Sequence, residues 1–450
     1  MKLSAITLGC RVNQYETQAI CEKLYSLGFE RAANEEDADL YLINTCAVTA
    51  ESVRKDRQTI RRILRIKQSR ENAVICVCGC FPQGEEWNFE SNGIDLIAGN
   101  SRKSEVAEIL FDLCHQNPSD RRQIDLREDI SLVRKFESLS VSGSRNARAF
   151  IKIEDGCNSF CSYCYVPLVR GRVRSRPLTE IVCEAQRLAA NGYAEIVLVG
   201  IETGAYGNDF DDHTDLISLV TRLHDISNVK RIRFGSLKPT VFTDDFCSRL
   251  SELPKVMPHF HLSFQSGSDK VLSRMGRRYG RDEENRAIDC IRRYYPDVGL
   301  SADFICGFPG EKEEDFLQTE SLVRYARLLH THIFPYSPRK GTRAASFSDP
   351  VDEVVKRDRC ARLSVAAREC AIQFHKERIG RTARVLCEKI QNGVVSGYTE
   401  EFMYVNVPDD NFRVGEIISL ELTSKFHFTA DMLISSAKKA QTVDNLPKKL

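Results

Sequence analysis

The sequence lacks the marks of several large protein classes. It has one tryptophan and five methionines in 450 residues, and its net charge is only +1. No apolar run approaches the roughly 20 residues that cross a bilayer, which excludes a helical membrane protein. A near-zero net charge excludes a globally basic nucleic-acid binder, so any surface for a polyanion must be local. There is no repeat of solenoid length and no low-complexity tract. The opening MKLSAITLGCRVNQ has no signal-peptide apolar region, because Gly9 and Arg11 interrupt it, and this predicts a soluble cytoplasmic protein with no membrane association. Cysteine, by contrast, is plentiful at 17. In a reducing compartment that argues for metal ligation or redox chemistry over a disulfide framework.

A chain this long needs more than one core. Residues 1–118 alternate strand and helix: LSAITLGC, DLYLINTC, NAVICVCGC and IDLIAGN read as strands, with one helix capped by Asn13 and another near 50–69. Asn13 with Glu16 three residues on has the pattern of a capping box. Strand–helix alternation predicts a parallel sheet covered on both faces. Cys10, Cys46 and Cys80 each fall at the C-terminal end of a strand, the edge where open parallel sheets bind ligands. Cys76 and Cys78 share Cys80's strand and, in extended chain, its face. Only Cys80 lies at the strand end, so it is the one assigned to the site.

Residues 119–147 are polar and aperiodic, a linker with room for one strand. From 148 to 379, six strand–helix units (strands starting at ARAFIKIE and then near 195–200, 230–235, 259–264, 299–306 and 330–335) predict a partial barrel, closed by a helix from about Pro350 to Ile379. Active sites on such barrels lie at the C-terminal strand ends. Residues 380–440 change to short strands with Gly and Asp turns, a small β-barrel, followed by a tail at 441–450.

The stretch DGCNSFCSYCYVPLVRGRVRSR follows the first barrel strand. Cys157, Cys161 and Cys164 form CxxxCxxC, a spacing that can hold three corners of an iron–sulfur cube. A zinc site would want a fourth ligand close by, and none occurs in the next 18 residues. Four arginines follow, Arg170, Arg172, Arg174 and Arg176, which suit phosphate groups or the carboxylate of a small ligand. A second basic run, ESVRKDRQTIRRILRIKQSR, carries eight Lys/Arg against two acids. There Val53, Ile60, Ile63 and Leu64 form the buried stripe, and Arg54, Arg61 and Arg65 gather on another face.

CxxxCxxC after a barrel strand resembles the radical S-adenosylmethionine enzymes. The ordered motifs TLGCRVNQYET, NTCAVT, CGCFPQ, DGCNSFCSYC, RGRVRSR, LSFQSGSDKVLSRMGR, DFICGFPGE and FPYSPRKGT resemble, more narrowly, the methylthiotransferases of that superfamily. The opening motif is most similar to the branch acting on threonylcarbamoyladenosine in tRNA. The resemblance spans nearly the whole chain and implies that residues 380–440 are a TRAM RNA-binding barrel.

It further implies two [4Fe-4S] clusters, one on Cys157, Cys161 and Cys164 and a second on Cys10, Cys46 and Cys80, each with one iron left for another ligand. S-adenosylmethionine would bind near Tyr163, Glu202, Gln265 and Ser266. The implied reaction adds a methylthio group to carbon-2 of the modified adenosine next to the anticodon, with a flavodoxin- or ferredoxin-like electron donor. No side chain is assigned a catalytic acid–base role, because an aromatic C–H offers no acidic proton. Isopentenyladenosine in tRNA or a ribosomal-protein aspartate are the alternative substrates, and a non-catalytic metal-containing RNA-binding protein is the alternative of another class. Pro82 departs from the family, which more often has a small residue there. In the small barrel, Phe426, His427 and Phe428 are candidates for base stacking.

Overall fold

The computed structural model describes residues 1–85, 87, 89, 93–143, 146–429 and 432–439. Its first unit is a six-stranded parallel sheet. The central strands are β1 (Lys2–Thr7), β2 (Leu40–Thr45), β3 (Val74–Gly79) and β4 (Leu96–Ala98). β2 and β3 are buried at every residue, as a sheet covered on both faces requires. Helix α1 (Arg11–Ser26) connects β1 onward, and α2 (Ala50–Gln68) leads from β2 to β3. The expected linker is packed rather than free. Ile124–Asp125 adds a sixth strand beside β4, and Leu126, Ile130, Leu139 and Val141 are buried.

The second unit has the six expected strands: β5 (Arg148–Lys152), β6 (Glu195–Val199), β7 (Arg231–Phe234), β8 (His259–Gln265), β9 (Gly299–Cys306) and β10 (His330–Pro335). All adjacent pairs are parallel. The wall crosses from β7 to β8 through a short two-residue strand, Ser236–Leu237. Alternation sorts the side chains cleanly. Ala149, Ile151, Ile196, Leu198, Phe260, Leu262, Leu300 and Ala302 join the helix-facing core. The opposite parity gives Arg148, Glu195, Arg231, Arg233, His259, His261 and Asp303, so the interior is polar. β10 is an edge strand, which leaves the barrel open on one side.

Helix α3 (Glu353–Lys376) leads to a closed five-stranded barrel, Thr382–Gln391, Val394–Tyr398, Tyr404–Pro408, Ile417–Thr429 and Met432–Lys439. This small barrel seals the floor of the large one. Phe402, at φ +73°, stacks on His259 at 4.4 Å and on Tyr398 at 4.2 Å, with the Arg148 and Arg233 guanidiniums 5.1 Å from its centroid. Arg233 donates to the carbonyls of Glu400 and Thr399 at 2.8 and 2.7 Å, and Arg231 donates to that of Arg384 at 2.8 Å. These bonds satisfy interior donors that the large barrel cannot satisfy itself. No helix among the described residues is long and apolar enough to cross a membrane.

Candidate active site

Strand ends bring the first three cysteines together. Cys10 is the N-cap of α1, Cys46 follows β2, and Cys80 opens a short helix, Cys80–Gly84, directly after β3. β1, β2 and β3 are consecutive neighbours in the sheet. Gly9 makes the approach possible. At φ +97° it sits where glycine is favoured, and a Cβ there would lie 2.6 Å from Cys46 Cβ. Burial pushes the Cys46 thiol up to about 12, with Cys80 and Cys10 as the neighbouring thiols that raise it further.

Cys76 and Cys78 pack into the core of the first unit with Leu40, Leu42 and Leu96. Cys80 leaves that face because the chain turns helical, and it packs with Phe81, Tyr165 and Val169 instead. Pro82 falls in the first turn of the short helix, where its missing N–H has no intrahelical acceptor to lose. Asp56, buried on α2, accepts the Cys46 amide at 3.2 Å, and burial pushes its carboxyl up to about 7.

The second triad sits on the loop after β5. Gly156, at φ +82°, lets that loop close: a Cβ would lie 2.0 Å from the Arg172 carbonyl oxygen. The Cys157 amide donates to Gly171 O and the Cys164 amide to Cys161 O, both at 3.0 Å. Burial pushes the Cys164 thiol up to about 12, and the Cys161 and Cys157 thiols add to the shift.

The arginines that follow are mostly not a phosphate surface. Arg170 ends a short helix, Val166–Arg170, and Arg174–Ser175 returns as a two-residue strand paired to Glu154–Asp155; Arg170, Arg174 and Arg176 are all buried. Arg170 is buried, 3.0 Å from both Glu16 and Asp155, and it donates to Asn13 Oδ1 at 2.5 Å. Lys152 bridges the same two carboxylates at 2.7 and 2.6 Å, Lys103 pairs with Glu16, and Arg174 lies 3.8 Å from Asp155. Arg176 is held by Glu184 at 2.5 Å and by Tyr15. Arg172 alone of the four is exposed, its guanidinium 5.6 Å from the ring of Phe160.

The expected capping box at Asn13 and Glu16 is absent for the same reason. α1 starts at Arg11, Asn13 holds the carbonyls of Leu8 and Thr45, and Glu16 is spent on the cations.

That buried network counts four cations against two carboxylates, and its surplus faces sulfur. The Cys80 and Cys10 thiols help the two carboxylates hold the Arg170 guanidinium protonated. Three thiolates fit beside a positive excess. Three soft donors per site suit an iron–sulfur cluster with one iron left for another ligand.

The two triads share one face. Asn100 donates to Cys80 Sγ at 3.4 Å and to the Val169 carbonyl at 2.8 Å, and Tyr165, next to Cys164, donates to the Gly84 carbonyl.

The other expected residues lie around the mouth. Tyr163 accepts from Arg277 at 2.7 Å and meets Phe308 edge-on. Glu202 pairs with Lys238 at 2.7 Å, and its amide is held by the buried carboxyl of Glu154. Gln265 is strained, at φ +73°, at the end of β8. Ser266 is turned into the protein, where its hydroxyl bonds Thr319 at 3.2 Å and accepts the Ser268 amide. Exposed apolar side chains, Val48, Phe160 and Leu168, rim the cysteine sites.

On α2 the stripe is as expected, with Leu64 only half-buried, and Arg54, Arg61 and Arg65 are exposed. The side chains of Phe426 and Phe428 lie outside the described residues, as does the tail from 440 on, and His427 is exposed.

Residues 2–99 match the model of an uncharacterized protein family, UPF0004, and residues 151–323 that of the radical SAM superfamily. A threonylcarbamoyladenosine tRNA methylthiotransferase, MtaB of Bacillus subtilis (strain 168), is 35% identical over 424 residues, 92% of each chain. A tRNA-2-methylthio-N(6)-dimethylallyladenosine synthase of Natranaerobius thermophilus is 33% identical over 429 residues, 94% of each. Among solved structures, the radical S-adenosylmethionine methyltransferase TsrM of Kitasatospora setae superposes with a TM-score of 0.55 at 15% identity, covering 75% of this chain and 74% of that one, a likeness of fold alone.

Proposed function

The chain belongs to the radical S-adenosylmethionine methylthiotransferases, enzymes that use S-adenosylmethionine and [4Fe-4S] clusters to modify tRNA, and on that footing we propose that its substrate is N6-threonylcarbamoyladenosine next to the anticodon. The observation that carries the reading is the pair of cysteine triads on one face, joined through Asn100, Tyr165 and the buried charges.

Cys157, Cys161 and Cys164 would hold the cluster that works with S-adenosylmethionine, and Cys10, Cys46 and Cys80 the cluster that carries the sulfur. When bound, these groups supply a radical able to take hydrogen from an aromatic carbon, a sulfur atom and a methyl group, none of which a side chain can provide. The chain's own residues orient and shield. Tyr163, fixed by Arg277, presents an aromatic ring beside the second triad. Glu202 and Gln265 present polar groups at the strand ends. Ser266 contributes through its bonds to Thr319 and to the Ser268 amide, not through its hydroxyl at the mouth.

Substrate choice rests on the opening motif and on the rim. Threonylcarbamoyladenosine carries a carboxylate, whereas the dimethylallyl group is uncharged and apolar. Arg172 is exposed at the lip of the cysteine loop and has no ion pair among the described residues, so it is available for a carboxylate. Val48, Phe160 and Leu168 offer apolar surface to the base. The small barrel, read as a TRAM module, and the exposed arginines of α2 would take the rest of the tRNA.

Mass spectrometry of tRNA nucleosides from a deletion strain tests the substrate. The 2-methylthio form of threonylcarbamoyladenosine should vanish, while that of dimethylallyladenosine persists. The reverse pattern overturns the choice. Replacing Cys157, Cys161 and Cys164 by Ala should abolish 5′-deoxyadenosine formation. Replacing Cys10, Cys46 and Cys80 should keep about half the iron and reductive cleavage, but lose the methylthio product.

A further inference from the structure

Inside the large barrel, away from both cysteine triads, three side chains converge. His261 is the third residue of β8, Asp303 the fifth of β9 and His332 the third of β10. The strands are adjacent and parallel, and Asp303 stands directly across from His332 in register. His261 Nε2 lies 3.1 Å and His332 Nδ1 3.0 Å from the same oxygen, Asp303 Oδ1. All three donor atoms fall within 4.8 Å of one another. No lysine or arginine pairs with Asp303 among the described residues, so its charge is answered by two imidazoles only.

We propose that His261, Asp303 and His332 form a binding site for one divalent late first-row transition-metal ion, with Zn2+ as the type case. Two imidazoles and one carboxylate suit zinc, iron or nickel, and a three-donor set leaves positions open for water. The spacing agrees. Bonds of ~2.0–2.2 Å place neighbouring ligand atoms roughly 3.0–3.5 Å apart, the separation seen to Asp303 Oδ1. The donors are carried on strands rather than loops, so the site is rigid. In the metal-free form both ring N–H groups donate to Oδ1. Binding needs only that each imidazole take its other neutral tautomer, which turns a lone pair to the ion.

The site is partway down the barrel. Gln265, at the mouth, is four residues along β8 from His261, roughly 13 Å at ~3.3 Å per residue. It is therefore distinct from the cysteine sites, and the assignment of those sites does not bear on it. Because His332 is exposed on the edge strand, the ion would pin β10 to the barrel wall at the open side.

The test is anaerobic calorimetry with Zn2+ on the full chain, both clusters loaded and loose metal removed, followed by zinc K-edge absorption of the one-to-one complex. The expected result is one Zn2+ per chain in a shell of nitrogen and oxygen with imidazole scattering. His332→Ala, a surface change, should weaken binding at least tenfold with iron and sulfide unchanged, and Asp303→Asn should do the same. No zinc uptake by the loaded enzyme, sulfur in the zinc shell, or His332→Ala binding as tightly as the parent each overturns the proposal.

Discussion

Glu16→Gln keeps shape and removes one charge from the buried network, so its cost can be worked from the contacts. Glu16 answers Lys103, Lys152 and Arg170, and all four side chains are at most 3% exposed. Those cations hold its carboxyl well below the usual range even though burial alone would raise it. With glutamine in place, only Asp155 remains to balance four buried cations.

Breaking a buried pair on one side costs ~3–5 kcal/mol, because the stranded charge stays desolvated. Trp87, the only tryptophan in the chain, lies in the first unit against Phe81 and Phe89, so its fluorescence follows that unit's unfolding. With an m-value of ~2 kcal/mol/M, the urea midpoint of the cluster-free protein should fall by about 1.5–2.5 M. Adding Lys103→Met removes a stranded cation and should recover a good part of the loss, a coupling readable as a double-mutant cycle. A Glu16→Gln midpoint within about 0.3 M of the parent would refute the reading that Glu16 neutralises buried cations at a large energetic gain.

Phe402→Ala should cost about 2–3 kcal/mol, less than the ~3–5 of a fully buried ring because Phe402 keeps some exposure; earlier proteolytic release of the small barrel would show it. Replacing Arg54, Arg61 and Arg65 by Gln should weaken tRNA binding and flatten its salt dependence by about 2–3 in log–log slope, at ~0.7–0.9 per phosphate contact, while S-adenosylmethionine cleavage without RNA persists. His375, bonded to Ser435 at 2.5 Å, is pushed by burial down to about 3, so it is neutral in the fold. Its contribution is flat above its unfolded value of ~6.5 and is lost as pH falls below that, reaching ~1.4 kcal/mol at pH 5.5. Denaturation midpoints at pH 7.5 and 5.5 should therefore differ more for the parent than for His375→Asn.

What the sequence made legible was whatever repeats locally. Buried parallel strands read as apolar runs, and a cysteine at the end of each run needs no tertiary knowledge to place. Cys80 was separable from Cys78 because the apolar run stops between them. The arginines after Cys164 were not legible in this way. A charge run looks the same whether it is solvated or buried, and what decides is the partner. Glu16 lies 154 residues from Arg170, and Glu184 lies on a helix whose other face is polar. Asn13 and Glu16 carried a capping pattern, yet their oxygens accept from the tertiary donors Lys103, Lys152 and Arg170 instead of from backbone N–H groups of the first turn. The hint was that α1 has polar residues, Asn13, Glu16 and Thr17, on the side its apolar residues bury. His261, Asp303 and His332 are spread over three strands, and no spacing rule links them.

The stopper formed by Phe402 also sets an order of events during synthesis. The six strands of the large barrel are complete at Pro335, long before the chain reaches the groups that close its floor. Until then Arg148, Arg231 and Arg233 share the single carboxylate of Glu195, and their remaining donors line an opening with only water to bond. The barrel's interior is therefore finished last, from a segment remote in sequence, and the ribosome holds an unsealed intermediate while the final strands emerge. Nonsense and frameshift changes beyond Lys376 would leave both cysteine triads in place and still spoil the vessel that contains the reaction.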